Sequence, residues 1–331
     1  MKEDENGHRP PATDWLADAL SCWRLLPNKT FFFTLLAGWL LLFHFLGNSN
    51  FGYTHSGSLF DWLKFAYHSD APGASNDDAW GQIIPFLVIG LFWWKRRTLL
   101  SLPLQAWWPG LLILALAAMM HFAGFALQQQ RLSVVAMIVG VFGLMGMAWG
   151  RGWLRESIFP FWLFIFSVPL SALLLPLTFP LRMLAAWLTA MAASLLTIPV
   201  VRDGTQLFSP GGGFQYEVAA ACSGMRSLVA IFLIAAVCAF VLFRSPGKRI
   251  FFMTLAFPLS VIGNFTRLMC IIIAAELGGQ DAGNFVHENW FFSLVPYVPA
   301  IVGLMWCARW LEKREGKKQL ETPPPAEMEA K

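Results

Sequence analysis

The sequence predicts an all-α, polytopic membrane protein with about eight transmembrane helices plus one interfacial or re-entrant helix. Three observations predict it. Of 331 residues, 56% are hydrophobic and only 13% charged, a balance that neither a soluble globular domain nor a disordered chain shows. Apolar runs close to the roughly 20 residues that a bilayer crossing needs recur along the chain. Lysines and arginines gather between alternate runs, as the positive-inside rule requires. Sixteen Trp and thirty Phe against four Tyr suit contact with membrane lipids, and 27 Gly with 20 Pro suit kinked membrane helices. No basic, aromatic-interleaved patch supports nucleic-acid binding. The five Cys, most of them inside apolar runs, make neither a disulfide framework nor a zinc ligand set, so no cofactor is implied.

Residues 1–29 are polar and mixed in charge, and they read as a cytoplasmic tail with no cleavable signal peptide. Apolar runs at 30–47, 81–94, 106–127 and 132–149 give a four-helix membrane region over 30–150. Its largest exposed piece is the loop 48–79, which holds a short helix around Leu59 to Tyr67. A second membrane region, 151–310, opens with a span at 157–175 and continues with spans at 225–243, 250–275 and 290–308. Pro169, Pro176 and Pro180 are expected to break the chain where it surfaces after the first of these. Residues 311–331, with Pro323, Pro324 and Pro325, read as a cytoplasmic C-terminal tail.

The apolar segment 183–200 decides the topology. If it crossed the bilayer, the basic clusters at Arg244, Lys248 and Arg249 and at Arg309 to Lys331 would both lie outside. Laid along the outer interface, it puts 18 of the 24 Lys and Arg in the cytoplasm together with both termini. That arrangement is the one the charges select.

Ionisable groups at the ends of spans cost a few kcal/mol and tend to be paired or functional. Cys222, after the flexible Gly211, Gly212 and Gly213, sits where an outer loop becomes a span. Unpaired N–H groups in the first helical turn lower a thiol pKa, and Arg226, four residues on, adds positive potential. The bland alternative is a small residue packing a helix entrance. Asn264 and Arg267 share a face of the 250–275 span, so the amide can hold the guanidinium in place. Arg267 could donate to a developing oxyanion or simply snorkel to the headgroups. His287 lies in the short outer loop 276–289 between Glu276 and Glu288, as a proton carrier or as a solvated side chain. The charge-derived topology brings Cys222, Arg267 and His287 to one outer face. A thiol, a fixed cation and a proton carrier constitute a cysteine acyl-transfer set.

These residues resemble the exosortase and archaeosortase family of membrane-embedded cysteine transpeptidases. The resemblance runs through Ala221-Cys222-Ser223-Gly224-Met225-Arg226-Ser227, then Asn264-x-x-Arg267, then His287, and covers roughly residues 155–290; earlier spans match only in character. It implies Cys222 as nucleophile with Arg267 and His287 completing a triad. Ser223, Arg226 and Asn264 read as supporting residues, although Arg226, nearer in sequence than Arg267, could itself activate Cys222. It also implies substrates: exported proteins carrying a C-terminal sorting tail of a motif, a membrane helix and a basic cluster. The tail is cleaved outside the inner membrane and the protein passed to an acceptor, a glycan or a lipid, in systems often linked to exopolysaccharide. Cys238 and Cys307 read as core, Cys22 as cytoplasmic, and Cys270 as the one rival thiol. From another class, a transporter or flippase for a lipid-linked polysaccharide precursor would use the arginines to bind phosphate. A ligase acting on a lipid-linked sugar would need paired carboxylates, for which Glu276, Asp281 and Glu288 are the nearby candidates.

Overall fold

In the computed structural model, which describes residues 15–47, 57–68, 76–105, 107–169, 171–217, 225–243, 245–289, 291–295 and 297–321, the apolar runs fold as helices. The chain divides into two units. The first carries α1 (Trp15–Leu25), α2 (Lys29–Phe45), α3 (Leu59–Tyr67), α4 (Ile84–Leu100), α5 (Pro109–Ala126), α6 (Gln130–Trp149) and α7 (Arg151–Leu163).

At the centre of this unit α5 and α6 pack as an antiparallel pair whose backbones meet at Gly110 and Gly143. A Cβ on Gly110 would come within 2.7 Å of the Gly143 carbonyl oxygen. Apolar side chains gain little by leaving lipid for protein, so close backbone approach is what holds such helices together. Polar side chains add cross-links. Trp39 Nε1 of α2 donates to the Met137 carbonyl of α6 at 3.0 Å. His121 Nε2 donates to the Leu46 carbonyl at 3.0 Å, leaving Nδ1 to accept from the Ser133 hydroxyl at 3.1 Å. This histidine inside a span thus bonds neighbouring backbone and helix.

The short helix expected in the first outer loop is α3. Ser58 Oγ accepts from the Asp61 N–H at its N-terminus, and Leu59, Leu63 and Tyr67 bury one face at helical spacing. Tyr67 Oη donates to the Ser167 carbonyl and pins that face down. The N-terminal tail is partly helical: α1 meets α2 at 93°, with the Lys29 ammonium donating to the Trp23 carbonyl at 2.9 Å. Asp18 of α1 pairs with Arg96 of α4 at 2.5 Å, and Lys95 with Glu156 of α7 at 2.7 Å.

The expected span 157–175 is not one helix. α7 ends at Leu163, a 3₁₀ turn runs to Ser167, and the chain passes through Val168 and Pro169 before α8 (Ser171–Leu195) begins. Pro169 interrupts as anticipated. Pro176 and Pro180 do not, because α8 continues through both. Proline removes an N–H and crowds the preceding turn, yet membrane helices tolerate it where local adjustment satisfies the freed carbonyl.

The second unit holds α8, three short strands, and α9 (Met225–Leu242), α10 (Pro246–Thr254), α11 (Ala256–Glu288) and α12 (Tyr297–Glu321). In one core, Ile231, Ala235 and Ala239 of α9 meet Phe252 of α10 and Ala300, Leu304, Cys307 and Ala308 of α12. The spacings of three and four put these small and branched residues on single faces. The other core joins Ala185, Ala186 and Ala193 of α8 to Leu268, Ile271, Ile272 and Ala275 of α11, with Leu207 and Phe214 from the strand region above them. Cys238 packs against the first core and Cys270 against the second.

The strands were not anticipated. β1 (Val201–Asp203), β2 (Gln206–Phe208) and β3 (Gln215–Glu217) form an antiparallel meander in that order, with Arg202 opposite Leu207 and Leu207 opposite Tyr216. The two-residue connection Gly204-Thr205, with glycine at its first position at φ 60°, is the hairpin signal that could have revealed them.

Among the described residues three helical stretches are long and apolar enough to cross a membrane: Pro109–Ala126, Gln130–Trp149 and a window within Pro246–Glu288. The bent pair of α1 and α2 makes a fourth, and shorter apolar helices occur at Phe179–Leu195, Leu228–Leu242 and Tyr297–Leu311. The chain is an integral membrane protein.

Candidate active site

Arg267 and His287 are carried by the same helix, α11, and a break within it brings them together. Twenty residues of straight helix would hold them about 30 Å apart. At Gly279, φ is 77° and ψ is −176°, a conformation essentially closed to side-chain-bearing residues, and the chain turns back on itself there. Gly283 and Ala275 flank the reversal so closely that a Cβ on Gly283 would lie 2.9 Å from the Ala275 Cβ. Arg267 Nη2 then reaches the His287 carbonyl and donates to it at 3.1 Å. The expected loop 276–289 is therefore helical on both sides of a single break. Gly278-Gly279 followed by polar residues looks like a loop in sequence, whereas packing against Ala275 keeps the returning segment helical.

Pro246 to Arg267 already amounts to about 33 Å of helix, the thickness of a hydrocarbon core. From Leu268 onward α11 packs beneath the meander, whose β1 is exposed at all three positions. Open strand edges are not sustained in hydrocarbon.

Two buried side-chain nitrogens of this pair have no partner among the described residues: Arg267 Nε and His287 Nε2. A buried N–H or ring nitrogen left unpaired costs about 1–3 kcal/mol, and such groups in a native structure call for a ligand, a substrate or a mechanism. Burial pulls the His287 imidazole below its ordinary 6.5, the Arg267 charge pulls it the same way, and Glu288 partly opposes both. The imidazole is thereby held neutral and able to accept a proton near neutral pH. Asn264 is buried one turn before Arg267. The hydrogen bond recorded for Arg267 goes to the His287 carbonyl rather than to this amide.

Cys222 and Ser223 lie outside the described residues. Arg226 is the second residue of α9, with its side chain outside the described set. What is visible is the approach. β3, which ends five residues before Cys222, is bonded to the returning segment of α11: the Gln215 N–H donates to Gln280 Oε1 at 2.8 Å, and Tyr216 Oη donates to the Gln280 carbonyl at 3.0 Å. Five residues span at most about 18 Å, which bounds how far Cys222 can lie from the end of β3. Residue-by-residue reading of the sequence missed Gln280 and Tyr216, because a neutral amide and a phenol in a loop carry no charge signal.

A guanidinium and a neutral imidazole, given a thiol, supply the groups of acyl transfer: oxyanion stabilisation, proton shuttling and nucleophilic attack. Searches among curated proteins and solved structures gave no match. A family model described as transmembrane exosortase matches residues 72–306.

Proposed function

Because this chain belongs to the transmembrane exosortase family, we propose that it is a membrane-embedded cysteine transpeptidase working on the C-terminal sorting tails of exported proteins. The observation that carries the reading is the contact of Arg267 with the His287 carbonyl, with Arg267 Nε and His287 Nε2 buried and without partners among the described residues. In this reading α2, α4, α5, α6, α7, α9, the joined α10 and α11, and α12 make the eight crossings. Both termini are cytoplasmic, α8 lies along the outer interface, and the site faces the outside of the inner membrane. A substrate tail held inside by its basic end presents its motif at that depth.

The cycle follows from the roles. Cys222 gives its thiol proton to His287, and the thiolate sulfur attacks the carbonyl carbon at the cleavage motif. Negative charge moves to the carbonyl oxygen, where Arg267, which stays charged at any physiological pH, donates to it. Collapse of the tetrahedral adduct breaks the C–N bond, His287 protonates the departing amine, and a thioester remains on Cys222. An acceptor nucleophile then loses its proton to the neutral His287, adds to the thioester and expels the thiolate. Ser223, Arg226 and Asn264 support these groups. With water as acceptor the outcome is hydrolysis; a glycan or lipid gives transfer.

Co-expression with a reporter carrying a motif, a membrane helix and a basic cluster tests this. The parent chain should yield a C-terminally shortened reporter, and Cys222→Ala should yield none. Arg267→Lys should lose on the order of a hundredfold or more, because a point charge lacks the fork that meets the oxyanion. Full function in Cys222→Ala would overturn the reading in favour of transport of a lipid-linked precursor.

A further inference from the structure

The bonds between β3 and α11 are unusual for their number in a small area and for where they sit. Gln280 is the first residue after the break at Gly279, and it uses both ends of its side-chain amide on one strand residue. Its Oε1 accepts from the Gln215 N–H at 2.8 Å, and its Nε2 donates to the Gln215 carbonyl at 3.4 Å. The same Nε2 also donates to Asn284 Oδ1 at 3.1 Å, which orients the amide from within the returning helix. Tyr216 Oη donates to the Gln280 backbone carbonyl at 3.0 Å. The Tyr216 ring fills the space over Gly283, where a Cβ would come within 1.9 Å of Oη. Burial and the nearby Asp281 charge both raise the Tyr216 phenol, so it remains a donor across the physiological range.

We propose that Gln280 and Tyr216 are positioning residues: a clamp that fixes the outgoing end of β3, and with it the start of the chain leading to Cys222, against the helical segment ending in His287. The inference rests on the catalytic reading of Cys222 and His287 given above and deepens it. A side-chain amide that pairs with both the N–H and the carbonyl of one residue acts as an extra strand rung. It sets register as well as proximity. From Tyr216 the chain has six residues to reach Cys222, and from Gln280 His287 lies seven residues along the returning helix. A shift at the clamp therefore passes to the distance between sulfur and imidazole.

The test uses the full-length protein in detergent with a tail peptide as substrate, and follows alkylation of Cys222 by iodoacetamide as a function of pH, read on its own peptide by mass spectrometry. Tyr216→Phe should lower kcat about fivefold, the equivalent of one hydrogen bond. Gln280→Ala should lower it by about tenfold to a hundredfold with KM within about twofold. Gln280→Glu keeps the acceptor of the 2.8 Å bond but loses the donor to the Gln215 carbonyl, and should recover only part of the loss. In the weakened variants the alkylation midpoint should rise toward that of an ordinary thiol, about 8.5. Gly283→Ala drives a methyl into Tyr216 Oη and should be the most damaged, with partial relief when combined with Tyr216→Phe. Full-rate processing in Gln280→Ala and Tyr216→Phe, or lost processing with an unmoved alkylation midpoint, overturns the clamp. Cys222→Ala run in parallel separates the two ideas, because processing that survives it sinks the catalytic reading itself.

Discussion

Lowered by burial and by Arg267, the His287 imidazole gives the site a pH signature. The folded chain holds this proton less tightly than the unfolded chain does. Its contribution to stability is therefore complete above about pH 6.5 and is lost as the pH falls from there through the folded value. For activity, the acidic limb of the kcat/KM profile should lie below pH 6.5 in the parent chain. Glu288 raises the imidazole, so Glu288→Gln should move that limb to still lower pH. A limb that moves upward, or stays in place, would show that another group controls it. At this scale much of the site was legible in the sequence. Arg267 and His287 stand out because charged or titratable groups near a membrane must be paired or used. The pairing itself was not legible: Asn264, one turn away, looked like the partner of Arg267, whereas the bond goes to a carbonyl twenty residues on. Only the tertiary path of the chain creates that neighbour.

Among the elements, α11 shows why a reader of sequence loses the trail. By sequence a span ends at residue 275 and an outer loop runs over 276–289. A single non-helical residue was enough to reverse the chain, and helix resumes at once on the far side. Gly279→Ala tests the cost. A side chain at φ 77°, ψ −176° should destabilise the protein by about 1–3 kcal/mol. It should also lower the processing rate, because Arg267 and His287 meet only through that reversal. A melting curve in detergent, set beside the reporter assay, reads both; unchanged stability and unchanged processing together would show that the reversal is not needed. The helices of the first unit were easier to foresee. α3 has a capping Ser58 and a buried stripe within nine residues, and such local chemistry needs no distant partner. The meander was missed because three-residue strands leave too little alternation to register.

For the molecule as a whole, the charges along the sequence selected a topology, and the proposal depends on it. Phosphatase fusions, active only when exported, should be active when joined after Gly213 and inactive when joined after Arg249 or after Glu321. Activity at the last position would invert the C-terminal half and place the site on the wrong side. The transmembrane exosortase match extends from residue 72 to 306, so it takes in most of the first unit along with the second. Sequence resemblance at the level of motifs had reached back only to about residue 155.

Because Gly279 returns the chain beside itself, the cation and the proton carrier belong to a single hairpin. Helices that part to admit a substrate can tilt or slide without separating those two groups, which travel as one piece. In the proposed reaction the sulfur belongs to a different stretch of chain, so assembling the groups reduces to bringing one thiol to that pair.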